Sequence, residues 1–167
     1  DSPGLHVAII GERGAGKTSL ANITTISRRT IKVFCENNYT FNDICRVILL
    51  KFGEHLAEQF EYNAEQNSIR RTGLSLRADN IGSAELLQFI PNNPPLCIIV
   101  DEVDRLGRGE PTLRMGELCK QISTQRPNIT LLLVGIAETA ESLLAGHTSN
   151  VRNLKQVLLD RMSDGEL

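Results

Sequence analysis

The residues with the clearest chemistry stand near the start of the chain. Gly11-Glu12-Arg13-Gly14-Ala15-Gly16-Lys17-Thr18 matches the pattern G-x-x-x-x-G-K-[ST] at every fixed position. Glycines admit backbone conformations closed to other residues, so successive amides can turn inward onto phosphate oxygens. A helix beginning near Lys17 adds unpaired N–H groups and the positive end of its dipole. Lys17 brings a point charge to the outer phosphates, and the Thr18 hydroxyl stands where it can ligate magnesium. Gly11 to Ser19 is therefore the segment expected to hold a nucleoside triphosphate with Mg2+.

Such a site needs a second half, an acid at the end of a neighbouring buried strand. Val100-Asp101-Glu102 supplies it. Asp101 is the expected metal ligand alongside Thr18. Glu102, one residue on, is placed to polarise an attacking water as general base. The tetrapeptide Asp104-Arg-Leu-Gly107 also fits D-x-x-G, used by GTPases to sense the terminal phosphate. The N-K-x-D tetrapeptide needed for guanine is missing from the sequence. ATP is the expected nucleotide.

The elements that must position these groups follow from periodicity. Val7-Ala-Ile-Ile10, Ile31-Lys-Val-Phe-Cys35, Leu96-Cys-Ile-Ile-Val100 and Leu131-Leu-Leu-Val134 are apolar runs suited to strands. A shorter strand is expected at residues 156–159. Helices are expected at about 17–26, 83–90, 113–124 and 139–145. Phe41, Ile44, Cys45, Ile48, Leu49, Phe52, Leu56 and Phe60 recur at helical spacing, with Thr40 as N-cap. Residues 62–80 show no periodicity and read as a long loop carrying Arg70, Arg71 and Arg77. Strands alternating with helices predict a three-layer α/β/α domain with a mainly parallel sheet of about five strands.

Bulk properties exclude several classes. The 167 residues suffice for one domain with a real core. A formal charge of -2 offers no global attraction to nucleic acid or membrane. The longest apolar runs are about five residues, far short of a bilayer span. The cysteines at 35, 45, 97 and 119 are too scattered for a metal-binding pair. Cys35 and Cys97 read as buried small hydrophobes, and a reducing, cytoplasmic compartment fits. The Asn-x-Thr triplets at Asn22, Asn38 and Asn128 then carry no sugar. Ser163-Asp-Gly-Glu166 reads as a capping box announcing a helix. The expected division is a core at 1–162 and the start of a lid helix at 163–167.

Together, Gly11 to Ser19, the strand ending Val100-Asp-Glu-Val-Asp-Arg-Leu106 and Leu132-Leu-Val-Gly-Ile136 resemble an AAA+ ATPase. The chain is similar to the origin-recognition branch, and also to the neighbouring STAND signalling ATPases. The resemblance covers nearly the whole chain. It implies ATP hydrolysis at a site shared between copies, with an arginine reaching in from the neighbour. Arg152 is the first candidate and Arg161 the second; the charge of a guanidinium would neutralise the transferring phosphoryl group. It implies a polar sensor after the strand at 131–134, where Glu138 or Thr139 are the candidates. His147 reads as a loop or packing residue. The region 62–80 is where several branches place substrate-contacting or DNA-contacting insertions; Arg70, Arg71 and Arg77 would then touch DNA phosphates, the alternative being a plain solvated loop. Two functions follow: an ATPase module coupling nucleotide state to assembly or remodelling, or an oligomerisation switch that hydrolyses little. A small-molecule kinase would need an acceptor pocket and a clamping lid, and neither is legible.

Overall fold

The computed structural model describes residues 3–37, 39–56, 61–71, 74–77, 81–90, 95–106, 109–144 and 153–161. Its centre is a sheet of five strands: β1 (His6–Gly11), β2 (Thr30–Phe34), β6 (Leu96–Asp101), β7 (Ile129–Gly135) and β8 (Leu154–Leu159). The strand order is β2-β6-β7-β1-β8, and every pairing is parallel. Parallel neighbours require crossover connections, which the helices provide. α1 (Lys17–Thr24) follows β1, α2 (Phe41–Leu56) follows β2, and α4 (Glu110–Gln125) joins β6 to β7. Two short helices, α3 (Ser83–Phe89) and α5 (Ala140–Leu143), also lie among the described residues.

The solid apolar runs divide by parity into two cores. Ile9, Cys97, Ile99, Leu132 and Val134 face α1 through Ala21 and the half-buried Leu20. Ala8, Ile10, Ile31, Val33, Ile98, Val100, Leu131 and Leu133 face the opposite way and pack with α2, α3 and α4. Covering both faces is what allows a strand such as LCIIVD to be buried at all six positions. The expected three-layer fold is thus the observed one.

α2 forms for the reasons its sequence gives. Phe41, Ile44, Cys45, Ile48, Leu49 and Phe52 are all buried on one stripe. Its start is fixed by a reciprocal cap: the Asp43 N–H donates to Thr40 Oγ1 at 3.2 Å, and the Thr40 N–H donates to Asp43 Oδ2 at 2.9 Å. Phe60, expected in the same helix, lies outside the described residues.

One expectation is overturned. Residues 62–80 are not one irregular loop. They contain a separate three-stranded antiparallel sheet of β3 (Glu61–Asn63), β4 (Ser68–Arg71) and β5 (Leu74–Arg77). Register pairs Tyr62 with Ile69 and Ile69 with Leu76. The strands are three or four residues long, below the length at which alternation shows in a sequence window. The turn between β3 and β4 is shaped by Asn67 at φ 45, a left-handed position that asparagine tolerates. Ile69, fully buried, joins the sheet to the α2 side of the core.

His6 ties three elements together at the other end of the molecule. It is fully buried on β1. Its Nδ1 accepts the Leu131 N–H of β7 at 3.1 Å, and its Nε2 lies 2.7 Å from the Cys119 carbonyl of α4. Only the neutral ring with hydrogen on Nε2 satisfies both contacts, because a proton on Nδ1 would face another donor. Burial lowers the pKa below its ordinary 6.5, and the hydrogen bond to the Cys119 carbonyl works in the other direction. The unfolded chain therefore binds the proton more readily than the folded one. Stability is full above about pH 6.5 and falls as pH drops below it. We expect denaturation midpoints of the parent to fall between pH 7 and pH 5.5, and His6→Gln to flatten that slope. Equal slopes would remove His6 from the account.

All four cysteines are buried and unbridged. Burial pushes the thiols of Cys35, Cys45 and Cys119 up to about 12 and that of Cys97 to about 11. The thiolate is the reactive form. A disulfide reagent at pH 8 should therefore label no thiol rapidly in the folded protein, and all four once denaturant is added.

Candidate functional site

The carboxyl ends of β1, β6 and β7 open into a cleft of about 570 Å³. It lies at the carboxyl ends of the parallel strands, where this class of sheet binds ligands. Arg13, Gly14, Gly16, Lys17 and Thr18 form one wall, and Asp101, Glu102, Asp104, Arg105, Gly135 and Ile136 form the other.

The loop wall is shaped by two steric facts. A Cβ at Gly11 would lie 2.1 Å from the Leu159 carbonyl oxygen, so the close passage of β8 demands glycine. Gly16 has φ 82 and caps α1 from the left-handed region. From there α1 starts directly with Lys17 and Thr18. Lys17 is buried, and its ammonium donates to the carbonyls of Gly11 at 3.0 Å and Glu12 at 2.5 Å. The charge is thus held inside the curl of the loop. Ala15 is buried beneath it, and Ser19 points to solvent rather than lining the cleft.

Asp101 is 2% exposed at the end of β6. Its Oδ1 accepts the Glu102 N–H at 2.9 Å, and its Oδ2 accepts the Thr18 hydroxyl at 2.9 Å. The sequence suggested that this acid would end a strand next to β1. It does not: β7 lies between β1 and β6. α1 lies over this part of the sheet, which lets Thr18 span the gap. Hydroxyl and carboxylate oxygens brought this close are hard ligands, the donor set that suits a magnesium ion. Among the described residues no cluster of three or more His, Cys, Asp or Glu side chains offers another metal site.

Glu102 is a non-glycine residue in the left-handed region, at φ 59 and ψ 40. That turn swings the chain from β6 into the 3-10 turn Val103–Arg105. The Glu102 carboxylate pairs with Arg105 Nε at 3.0 Å, so its direction is fixed from within the same turn. Asp104 accepts the Ile136 N–H at 2.8 Å and ties the turn to the end of β7. Asp104 is therefore engaged as a brace, which runs against a D-x-x-G phosphate sensor; Gly107 of that tetrapeptide is outside the described residues.

Other expected site residues are placed differently. Thr139 is the N-cap of α5: its Oγ1 accepts the Ser142 N–H at 3.0 Å. The cleft at this end is lined by Gly135 and Ile136 instead. Arg161 turns back onto its own loop, with Nη2 3.3 Å from the Arg13 carbonyl and Nε 3.7 Å from Glu12 Oε2. Arg152, His147 and residues 163–167 lie outside the described residues. Sequence reasoning missed Lys32, whose ammonium stands 4.0 Å from Asp101 Oδ2. A single lysine within a β2 run gives no signal of facing a carboxylate at the end of the adjacent strand, β6. No described helix is long and apolar enough to cross a membrane.

Comparison with known proteins agrees with this geometry. The AAA domain family model matches residues 1–144. No curated protein matches the chain. Among solved structures, the Aeropyrum pernix ORC2 protein in ADPNP–ADP complexes superposes with a TM-score of 0.58 at 17% identity. That match covers 93% of this chain and 42% of the other. The Aeropyrum pernix ORC1 protein in complex with DNA gives 0.58 at 15% identity, covering 95% and 39%. Drosophila ORC bound to AT-rich DNA and Cdc6 gives 0.55 at 15% identity, covering 96% and 51%. The chain thus spans about half or less of the length of these relatives. Its loop, its acid-ended strand and its strand order have the family match as their independent counterpart: the chain belongs to the AAA domain family and has the fold of the origin-recognition proteins.

Proposed function

We propose that the cleft binds ATP with magnesium and hydrolyses it, coupling nucleotide state to assembly. The observation that carries this reading is the Thr18–Asp101 hydrogen bond, which joins the loop to the acid across the intervening strand. Loop amides and the α1 N-terminus would hold the phosphates. Lys17 would exchange its loop carbonyls for phosphate oxygens. Thr18 and Asp101 would hold the ion, which neutralises charge on the phosphates. Glu102 would take the proton of the attacking water, aimed by Arg105.

The same ion pair favours the second reading, an oligomerisation switch with slow turnover. The Arg105 guanidinium occupies one side of the Glu102 carboxylate, leaving fewer acceptor positions for an attacking water. For partners, we propose a second copy across the cleft, with Arg152 as the arginine supplied to the neighbour's nucleotide. Arg161 suits that role less well, because it contacts its own loop. A DNA contact through the three-stranded sheet would use Arg70, Arg71 and Arg77.

The test is nucleotide binding and turnover measured together, across protein concentration. Lys17→Ala should abolish ATP binding. Glu102→Gln should bind ATP as the parent does and lose at least about a hundredfold in turnover. Parental turnover in Glu102→Gln would exclude Glu102 as base. Parental turnover too slow to distinguish from Glu102→Gln, with binding intact, would select the switch.

A further inference from the structure

Lys32 is held as few surface lysines are. It sits on β2, and its ammonium donates to Asn22 Oδ1 of α1 at 2.8 Å. The same nitrogen lies 4.5 Å from the centroid of the Phe34 ring and 4.0 Å from Asp101 Oδ2. Its side chain is only 23% exposed. A carboxylate as buried as Asp101 requires compensating charge. Lys17 is engaged with loop carbonyls, and Arg105 is paired with Glu102. Asp101 Oδ1 is occupied by a backbone N–H. A positive charge near Oδ2 comes from Lys32, on the strand beside β6.

We propose that Lys32 is a positioning counter-cation that competes with the divalent ion for Asp101. The proposal rests on the reading of Thr18 and Asp101 as the metal pair. With Lys32 in place, Asp101 is neutralised without metal, and a divalent ion arriving alone meets a fixed positive charge. Phosphate oxygens arriving with the ion outweigh that repulsion. The site is thereby tuned to accept metal together with nucleotide and to reject metal alone. Asn22 and Phe34 hold the ammonium at the distance where this competition operates.

The test is binding of Mn2+ to the nucleotide-free full chain, read by the loss of the free-ion electron paramagnetic resonance signal. Thermal unfolding of the same samples with EDTA and with Mn2+ provides a second readout. Lys32→Met should bind Mn2+ on the order of tenfold more tightly than the parent, the effect of removing one screened charge several ångströms from the ion. Lys32→Arg, which keeps the charge, should stay near the parent. Lys32→Met should also melt lower in EDTA, with Mn2+ closing the gap. A merely structural role would lower the melting point equally in both conditions. Asp101→Asn should abolish Mn2+ binding in either background. If Asp101→Asn removes binding but Lys32→Met leaves it unchanged or weaker, the Lys32 proposal is overturned and the metal reading stands. If Mn2+ binding ignores Asp101→Asn, the metal reading fails and the proposal goes with it.

Discussion

Asp101 places a carboxylate where water is almost excluded, and the architecture around the cleft answers that constraint. A buried charge must be met by donors or opposite charge. Three elements do so: the Glu102 N–H from the turn, the Thr18 hydroxyl from α1, and Lys32 from β2. Each belongs to a different element: the left-handed turn at Glu102, α1 lying over β7, and β2 beside β6.

Strand order makes this meeting possible. The chain leaves β1, travels to the far edge as β2, returns through β6 and β7, and passes beyond β1 as β8. The loop after β1 therefore opens above β7, with an acid on one side and β8 on the other. β8 presses its Leu159 carbonyl against Gly11, and Arg161 follows with contacts to Glu12 and Arg13. The phosphate loop is thus framed from both sides by segments distant in sequence. A change in the loop has a direct route to β8 and to whatever follows it.

Much of this was legible beforehand. The buried strands, α2 with its Thr40 cap, and the loop from Gly11 to Thr18 all show in local pattern, because each depends on residues close in sequence. The short strands of the second sheet were illegible: three or four residues give no period, and their stability comes from pairing and from Ile69 in the shared core. The family resemblance makes Glu138 or Thr139 the sensor candidate after β7. A capping bond from the Ser142 N–H, three residues on, engages Thr139.

The sequence by itself determined which groups do chemistry: a phosphate loop, a hydroxyl beside its lysine and an acid after an apolar run. Those are matters of residue type and short spacing. Only the tertiary structure decided how they meet. Parallel pairing set β7 between loop and acid, and burial of Asp101 recruited Lys32 from a strand with no pattern to mark it. Electrostatic compensation acts through space, and spacing along the chain carries no record of it.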